Sequence, residues 1–222
     1  MELNTYPLVC TRGVVLYPNQ EIVIDVGRDT SVHAVENAQD NYDKKICLFS
    51  QKELEQENPG KEDIYPVGTL CEVRHIRRFD NFLRVKFRGI KRVKLNNWIN
   101  GSLSDLAEVE ILESEKQDAV EEEALIRMIA DELDRMQGQD RFVTKEIVME
   151  ISKGMGGEFL SDKAVQGLPL DIERKQQYLE TLGVNDRLMM LLQDMAKEKK
   201  MSEVEKQINE TVKERIDQGQ KD

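Results

Sequence analysis

The sequence predicts an α+β protein: an antiparallel, barrel-like sheet with one helix in its first half, then helices to the end. Three observations predict this. Up to about residue 115, apolar and polar residues alternate with period two in short segments. From about Lys116 the apolar period becomes 3.6. The strand-like segments also follow one another without the regular strand–helix alternation of a parallel sheet.

The expected strands are VVLYP, EIVIDV, KKICLF, LCEVRHI, FLRVKF and LAEVEIL, all short and rich in branched residues. Turn-formers separate them: Pro18-Asn19, Gly27, Asn58-Pro59-Gly60, Pro66-Val67-Gly68, Asp80-Asn81 and Asn100-Gly101. Asp80-Asn81 between two strand-like runs predicts a tight hairpin flanked by Phe79 and Phe82. One helix is expected where Thr30-Ser31 can cap a stripe of Val32, Val35 and Ala38, ending at Asp40-Asn41.

In the second half, Val120, Ala124, Met128 and Leu133, with Leu125, Ile129 and Met136 beside them, read as one apolar helix face stopped by Gly138. Thr144 can cap a helix carrying Ile147, Val148 and Ile151, which Gly154 to Gly157 break. Asp171 opens another, Gly183 is placed as a left-handed terminating glycine, and Asn185 as the cap of the last helix. That helix begins thickly apolar, Leu188 to Met195, and thins to Met201, Val204, Ile208, Val212 and Ile216, a stripe as narrow as a coiled-coil seam. The implied organisation is a barrel over residues 1–115, a helical subdomain over 116–184 and a long connecting helix over 185–222. The charged stretch ESEKQD at the first junction lacks apolar anchors, so it is expected to open to proteases.

Composition narrows the function. Net charge is -11 and the sequence pI about 4.9, which argues against general nucleic-acid binding. No apolar run approaches the length of a membrane span and no signal peptide is visible, so a cytoplasmic location is expected. Cys10, Cys47 and Cys71 read as free thiols in a reducing compartment. Against the acidic background stands FLRVKFRGIKRVKL, Phe82 to Leu95, with six basic residues and no acid. Its alternation reads first as a solvated strand face with intramolecular charge pairing, and otherwise as a docking face for acidic protein segments or nucleic acid.

Candidate chemistry is sparse. His33 and His75 sit in no ligand pattern, so no metal is expected. There is no phosphate-binding loop and no nucleophile elbow, and neither a cofactor nor a catalytic residue is assigned. Glu121, Glu122 and Glu123 read as solvated first-turn acids.

Several blocks together resemble one family. YPLVCTRGVVLYPNQEIVIDVGRDTSVHAVENA, Tyr6 to Ala38, is similar to the opening of the ATP-dependent Lon proteases, with a Pro-Leu strand, a V-V-x-Y-P turn and a V-G-R-x-x-S helix start. DKKICLFSQK, PGKEDIYPVGTLCEV, FRGIKRVKL, QGLPLDIERKQQYLETLGVNDRL and VEKQINETVKERIDQGQKD continue the match in order. The sequence departs from the family pattern after Leu8, where Val9 to Arg12 read as inserted, and at the hairpin, where Arg78-Phe79-Asp80-Asn81 replaces Leu-Pro-x-Gly.

The resemblance implies a PUA-like barrel, a helical subdomain and the start of a helix leading to an ATPase module. It also implies that the ATPase and the Ser-Lys protease domain lie outside this sequence, leaving a non-catalytic region that recognises unfolded or damaged proteins and helps organise a homohexamer. Exposed apolar and methionine side chains suit that task. Tyr17, Pro18, Phe79, Phe82, Met189, Met190 and Met195 are the candidate substrate contacts, and Val204, Ile208, Val212 and Ile216 the candidate seam toward other subunits or the motor. The rivals are a PUA-like RNA-binding module and a purely structural oligomerisation spacer.

Overall fold

The computed structural model describes residues 4–136 and 145–219. Its strands are β1 (Asn4–Thr11), β2 (Glu21–Val26), β3 (Lys45–Ser50), β4 (Val67–Arg78), β5 (Leu83–Ile99) and β6 (Leu106–Leu112), with α1 (Asp29–Asn41) between β2 and β3. The helices that follow are α2 (Ala119–Met136), α3 (Lys145–Ser152), α4 (Gly157–Gly167), α5 (Ile172–Glu180) and α6 (Val184–Gly219).

Strand order is β2-β5-β4-β3-β1-β6, and a second pairing of β5 with β6 closes the sheet into a barrel. The 17-residue β5 makes closure possible. Its first half pairs with β2 and its second half with β6, and it bends at register shifts opposite Leu70/Cys71 and Val73/His75 and at Leu95/Asn97. The barrel is not wholly antiparallel: β1 and β3 run parallel, Leu8 opposite Cys47. A parallel return needs a crossover, which β2 and α1 provide.

VVLYP is not a strand. Val15, Leu16 and Tyr17 are buried, but the segment crosses beneath the barrel with its carbonyls satisfied by hydroxyls instead of a ladder. Thr11 Oγ1 and Ser50 Oγ donate to the Val14 carbonyl at 2.8 and 2.6 Å, and Thr69 Oγ1 donates to that of Leu16 at 2.5 Å. Gly89 of β5 lets it pass, since a Cβ there would strike the Tyr17 carbonyl. The hairpin is as tight as expected, with the Phe79 N–H donating to the Phe82 carbonyl at 3.0 Å.

Helix boundaries follow local chemistry in some places and tertiary contacts in others. Asp171 caps α5, accepting from the Arg174 N–H at 2.7 Å. Helix α1 starts at Asp29, before Thr30-Ser31, so neither hydroxyl residue is its cap and Ser31 is buried. The buried face of α2 is Leu125, Ile129 and Leu133, while Val120 and Met128 are exposed, so the stripe lies one residue, about 100°, round from the one anticipated. Gly138 and Thr144 lie outside the described residues.

Gly183 is not left-handed. It is required because a Cβ would collide with the Asp186 carboxylate and the Gln117 amide. Asn185 lies inside α6, and Gln117 Oε1 caps that helix instead, accepting from the Asn185 and Asp186 N–H groups at 2.9 and 3.2 Å. Nor are the acids of α2 all solvated: Glu122 accepts from the Gly157 N–H that opens α4, at 2.9 Å, and Glu121 from Asn185 Nδ2 at 2.8 Å.

The first junction is anchored. The Glu115 N–H donates to the Leu182 carbonyl and the Glu115 carbonyl accepts from Val184, at 2.8 and 3.1 Å, and Ser114 Oγ donates to Glu158 at 2.7 Å. Its anchors are backbone and polar, so the lack of apolar residues in ESEKQD does not leave it loose. Beyond it the helical core includes Ile129, Leu160, Tyr178, Leu188 and Leu191, and it takes in Val15, Tyr17 and Val67 from the barrel.

Candidate functional site

Described residues of the basic strand are largely matched within the chain. Arg84 forks onto Asp25 at 2.7 and 2.8 Å, Lys86 reaches Glu21 at 2.6 Å and Lys91 reaches Glu113 at 2.7 Å; across the hairpin, Arg78 of β4 pairs with Glu36. The carboxyls of Glu21 and Asp25 are held below their ordinary range by hydrogen bonds from Lys86 and Arg84. β2 therefore lies against β5 as an acidic strand on a basic one. Arg92 points the other way, into the protein, where Asp162 and the Leu179 carbonyl bind it. Arg84, Lys86 and Lys91 fit the expected solvated, internally paired strand face, and buried Arg92 departs from it.

The β4–β5 hairpin ends in the feature that stands out from this surface. Phe79 and Phe82 stack with ring centroids 4.7 Å apart and planes within 12°. Both rings are half-buried. The Arg77 guanidinium lies 5.1 Å from the Phe79 centroid, and that of Arg84 5.3 and 5.7 Å from the two rings. The cations came unannounced, yet a signal existed: Arg77 precedes Phe79 by two and Arg84 follows Phe82 by two, which puts each on its ring's face of the ribbon. A shallow cleft beside the stack is lined by Gly27, Val32, Asn81 and Leu83. This tip offers a flat apolar surface with a cationic margin.

The other candidates scatter. Tyr17 and Pro18 are buried; Tyr17 is 0% exposed, and its hydroxyl donates to the Lys175 carbonyl at 2.7 Å. Met195 is 1% exposed and belongs to the helical core. These three are packing residues and drop out of any surface. Met190 is half-buried against that core, accepting weakly from Thr181 Oγ1, while Met189 is exposed. Met189 lies on α6 and not on the hairpin. Val204, Ile208, Val212 and Ile216 are all about half exposed and line one side of α6. Among the described residues, no cluster of His, Cys, Asp and Glu is placed to hold a metal, and no helix is long and apolar enough to cross a membrane.

A closed barrel docked on a helical unit that continues into a single long helix is the architecture of Lon N-terminal domains. The N-terminal domain of the Mycobacterium avium complex Lon protease matches at a TM-score of 0.70 and 18% identity, covering 87% of this chain and 98% of that one. The Lon N-terminal domain protein of Xanthomonas campestris matches at 0.59 and 17%, covering 85% and 97%. The chain belongs to the family of the ATP-dependent protease La (LON) substrate-binding domain, whose model matches residues 5–197. It is 33% identical over 225 residues to the Lon protease of Syntrophomonas wolfei and 30% identical over 217 residues to that of Escherichia coli K12. It spans 28% of the length of each.

Proposed function

We propose that this domain holds unfolded or damaged segments of protein substrates for an ATP-dependent Lon protease in the cytoplasm, and that α6 carries it into a homohexamer. The Phe79–Phe82 stack supports the first part. This half-exposed aromatic pair on a two-residue turn belongs to none of the clusters of buried apolar residues. It can cover apolar side chains that a folded substrate would have buried, with little demand for sequence. Arg77 and Arg84 keep the rings stacked in the absence of substrate. Met189, flexible and exposed, is a secondary contact. On this reading the domain itself does no hydrolysis, and the parent's Ser-Lys dyad and nucleotide site belong to other parts of that protein.

The exposed stripe Val204, Ile208, Val212 and Ile216 supports the second part. One apolar residue per turn on an otherwise charged helix gains stability only by meeting another apolar surface, supplied by a neighbouring subunit or the motor. The test of the whole reading is binding of a reduced, unfolded model protein to the 222-residue chain. Saturable binding that the native form of the same protein lacks is expected; no binding overturns it.

A further inference from the structure

A groove on the barrel adjoins the cleft beside the hairpin tip, with Gly27 lining both. β6 pairs with β1 from Asn4 to Pro7 and then leaves it; the last contact is the Leu8 N–H donating to the Asp105 carbonyl at 3.2 Å. From Leu8 to Thr11 the strand pairs with β3 alone, and among the described residues β2 pairs with β5 alone. Two strand edges therefore face a groove of about 310 Å³, walled by Val9 to Arg12 on one side and Ile24 to Arg28 on the other. The parallel register fixes which backbone groups look into it. The Gln51 N–H donates to the Thr11 carbonyl, so Thr11 is turned toward β3 and Cys10, its neighbour, away from it. The Cys10 carbonyl meets Arg28 Nη1 at 3.4 Å on that side. Apart from the Leu8 N–H and the Cys10 carbonyl, no hydrogen bond on this edge is made among the described residues, and an open strand edge beside Val9, Ile24 and Val26 is a template for an added strand.

The charge at the groove narrows what would fit. Arg28 donates to the Cys10 carbonyl, to Gln51 Oε1 at 2.6 Å and to the Gln56 carbonyl at 3.2 Å; Arg12 donates to the same Gln56 carbonyl at 3.5 Å. Every one of these acceptors is neutral. The carboxylates nearby are Asp25, which Arg84 already holds, Asp63, whose charge reaches Cys10, and Glu57 and Asp105 in the adjoining cleft, where Glu57 acts on Arg28 less strongly than Arg12 does. Partial burial, and after it the Arg12 charge, press the Arg28 pKa down. Two guanidiniums on neutral acceptors thus leave positive potential at one end of the groove. A carboxylate is the group that relieves it, through charge-assisted bonds in a forked geometry.

We propose that this groove receives an extended polypeptide segment by strand addition, with an acidic side chain of that segment bound by Arg12 and Arg28. The inference rests on the reading of the domain as a holder of unfolded chains, and it adds a local preference for acidic residues flanked by β-forming ones. Cys10 is a built-in reporter. It lines the groove and is partly exposed, whereas Cys47 and Cys71 are fully buried. Burial pushes its thiol up to about 12, so its alkylation is slow and any cover slows it further.

The experiment uses the 222-residue chain and two short labelled peptides of alternating Val and Thr, one with a central Glu and one with Gln. The Glu peptide is expected to bind about fivefold tighter, as for one partly solvated charge-assisted pair, and to slow Cys10 alkylation. In Arg12→Gln, whose exposed side chain makes the fold insensitive to the change, the two peptides should converge; Arg28→Lys should weaken the preference without removing it. Equal binding of the two peptides to the unaltered chain, or alkylation untouched by the Glu peptide, overturns the groove. If unfolded model protein binds and Phe79→Ala lowers that binding while Cys10 stays unprotected, the groove alone is wrong. If unfolded protein does not bind at all, both readings fall.

Discussion

Arg92 of β5 and Asp162 of α4 form a forked ion pair at 2.9 and 2.5 Å with side chains 1% and 2% exposed. Arg187 of α6 lies 3.9 Å from the same carboxylate and is fully buried, giving its other donors to Ser161, Ser114 and the Thr181 carbonyl. One buried carboxylate thus ties the barrel, the helical core and the base of the long helix together. Burial and the nearby Arg92 charge press the Arg187 pKa down to about 10, and the Asp162 charge works against both.

Removing one member should therefore be costly. Arg92→Met leaves Asp162 with a distant partner and is expected to destabilise by about 3–5 kcal/mol in urea unfolding. Adding Asp162→Leu removes the stranded carboxylate but leaves buried Arg187 without its counter-charge, so the double variant should recover only part of that loss. A double variant no better than the single would show that the pair's hydrogen bonds, not its charges, hold the halves.

At the hairpin tip the opposite balance holds. Phe79→Ala should cost about 1 kcal/mol or less of stability, the scale of one half-exposed aromatic pair. Binding of unfolded model protein should nonetheless fall several-fold in the same variant. Equal losses in Met189→Ala and Phe79→Ala would shift the principal contact to α6.

Ile208→Glu places a charge in the exposed seam of α6. Thermal unfolding of the core should be unchanged, because no described core residue belongs to that stretch. Amide protection from Val204 to Ile216, followed by hydrogen exchange at two protein concentrations, should lose its concentration dependence. Strong protection at every concentration in the unaltered chain would mean that the helix folds back on its own domain.

Gln117→Ala removes the acceptor that satisfies two N–H groups at the start of α6, and should cost about 1 kcal/mol as a lost cap does. Limited proteolysis supplies the second readout. The unaltered chain should resist cleavage between Ser114 and Asp118, where backbone bonds to Leu182 and Val184 hold it, and the variant should be cut there first. Rapid cutting of the unaltered chain at this point would instead restore the open junction that the composition suggested.

Stability should also fail at high pH. Burial raises the tyrosine pKa values of Tyr17 and Tyr178 above 10.0, and for Tyr178 the hydrogen bond to Asp194 adds to it. A folded value above the unfolded one contributes stability that is fully present below pH 10 and lost as pH rises through the folded value. Tyrosinate absorbance from these two residues should hence appear together with loss of helix signal. Ionisation of both ahead of unfolding would contradict the buried placement of Tyr17.

Neighbours along the chain specify a good part of this protein without help. Period two marks EIVIDV and LAEVEIL as strands, Asp80-Asn81 places the hairpin and its two rings, Asp171 marks a helix start, and the thin stripe after Met201 foretells a helix without a core to bury it. Each signal lies within a few residues of what it specifies, where backbone geometry and burial periodicity act directly. Long-range packing settles the remainder. Tyr17 and Met195 look like surface anchors until the packed helices bury them; VVLYP has strand composition but finds hydroxyl partners at Thr11, Ser50 and Thr69. Gln117 caps the last helix through Asn185, 68 residues on, and Arg92, one of six cations in a strand, finds Asp162 at a separation of 70. Such pairings depend on which surfaces the closed barrel brings together, and no local pattern encodes a partner that only the fold supplies.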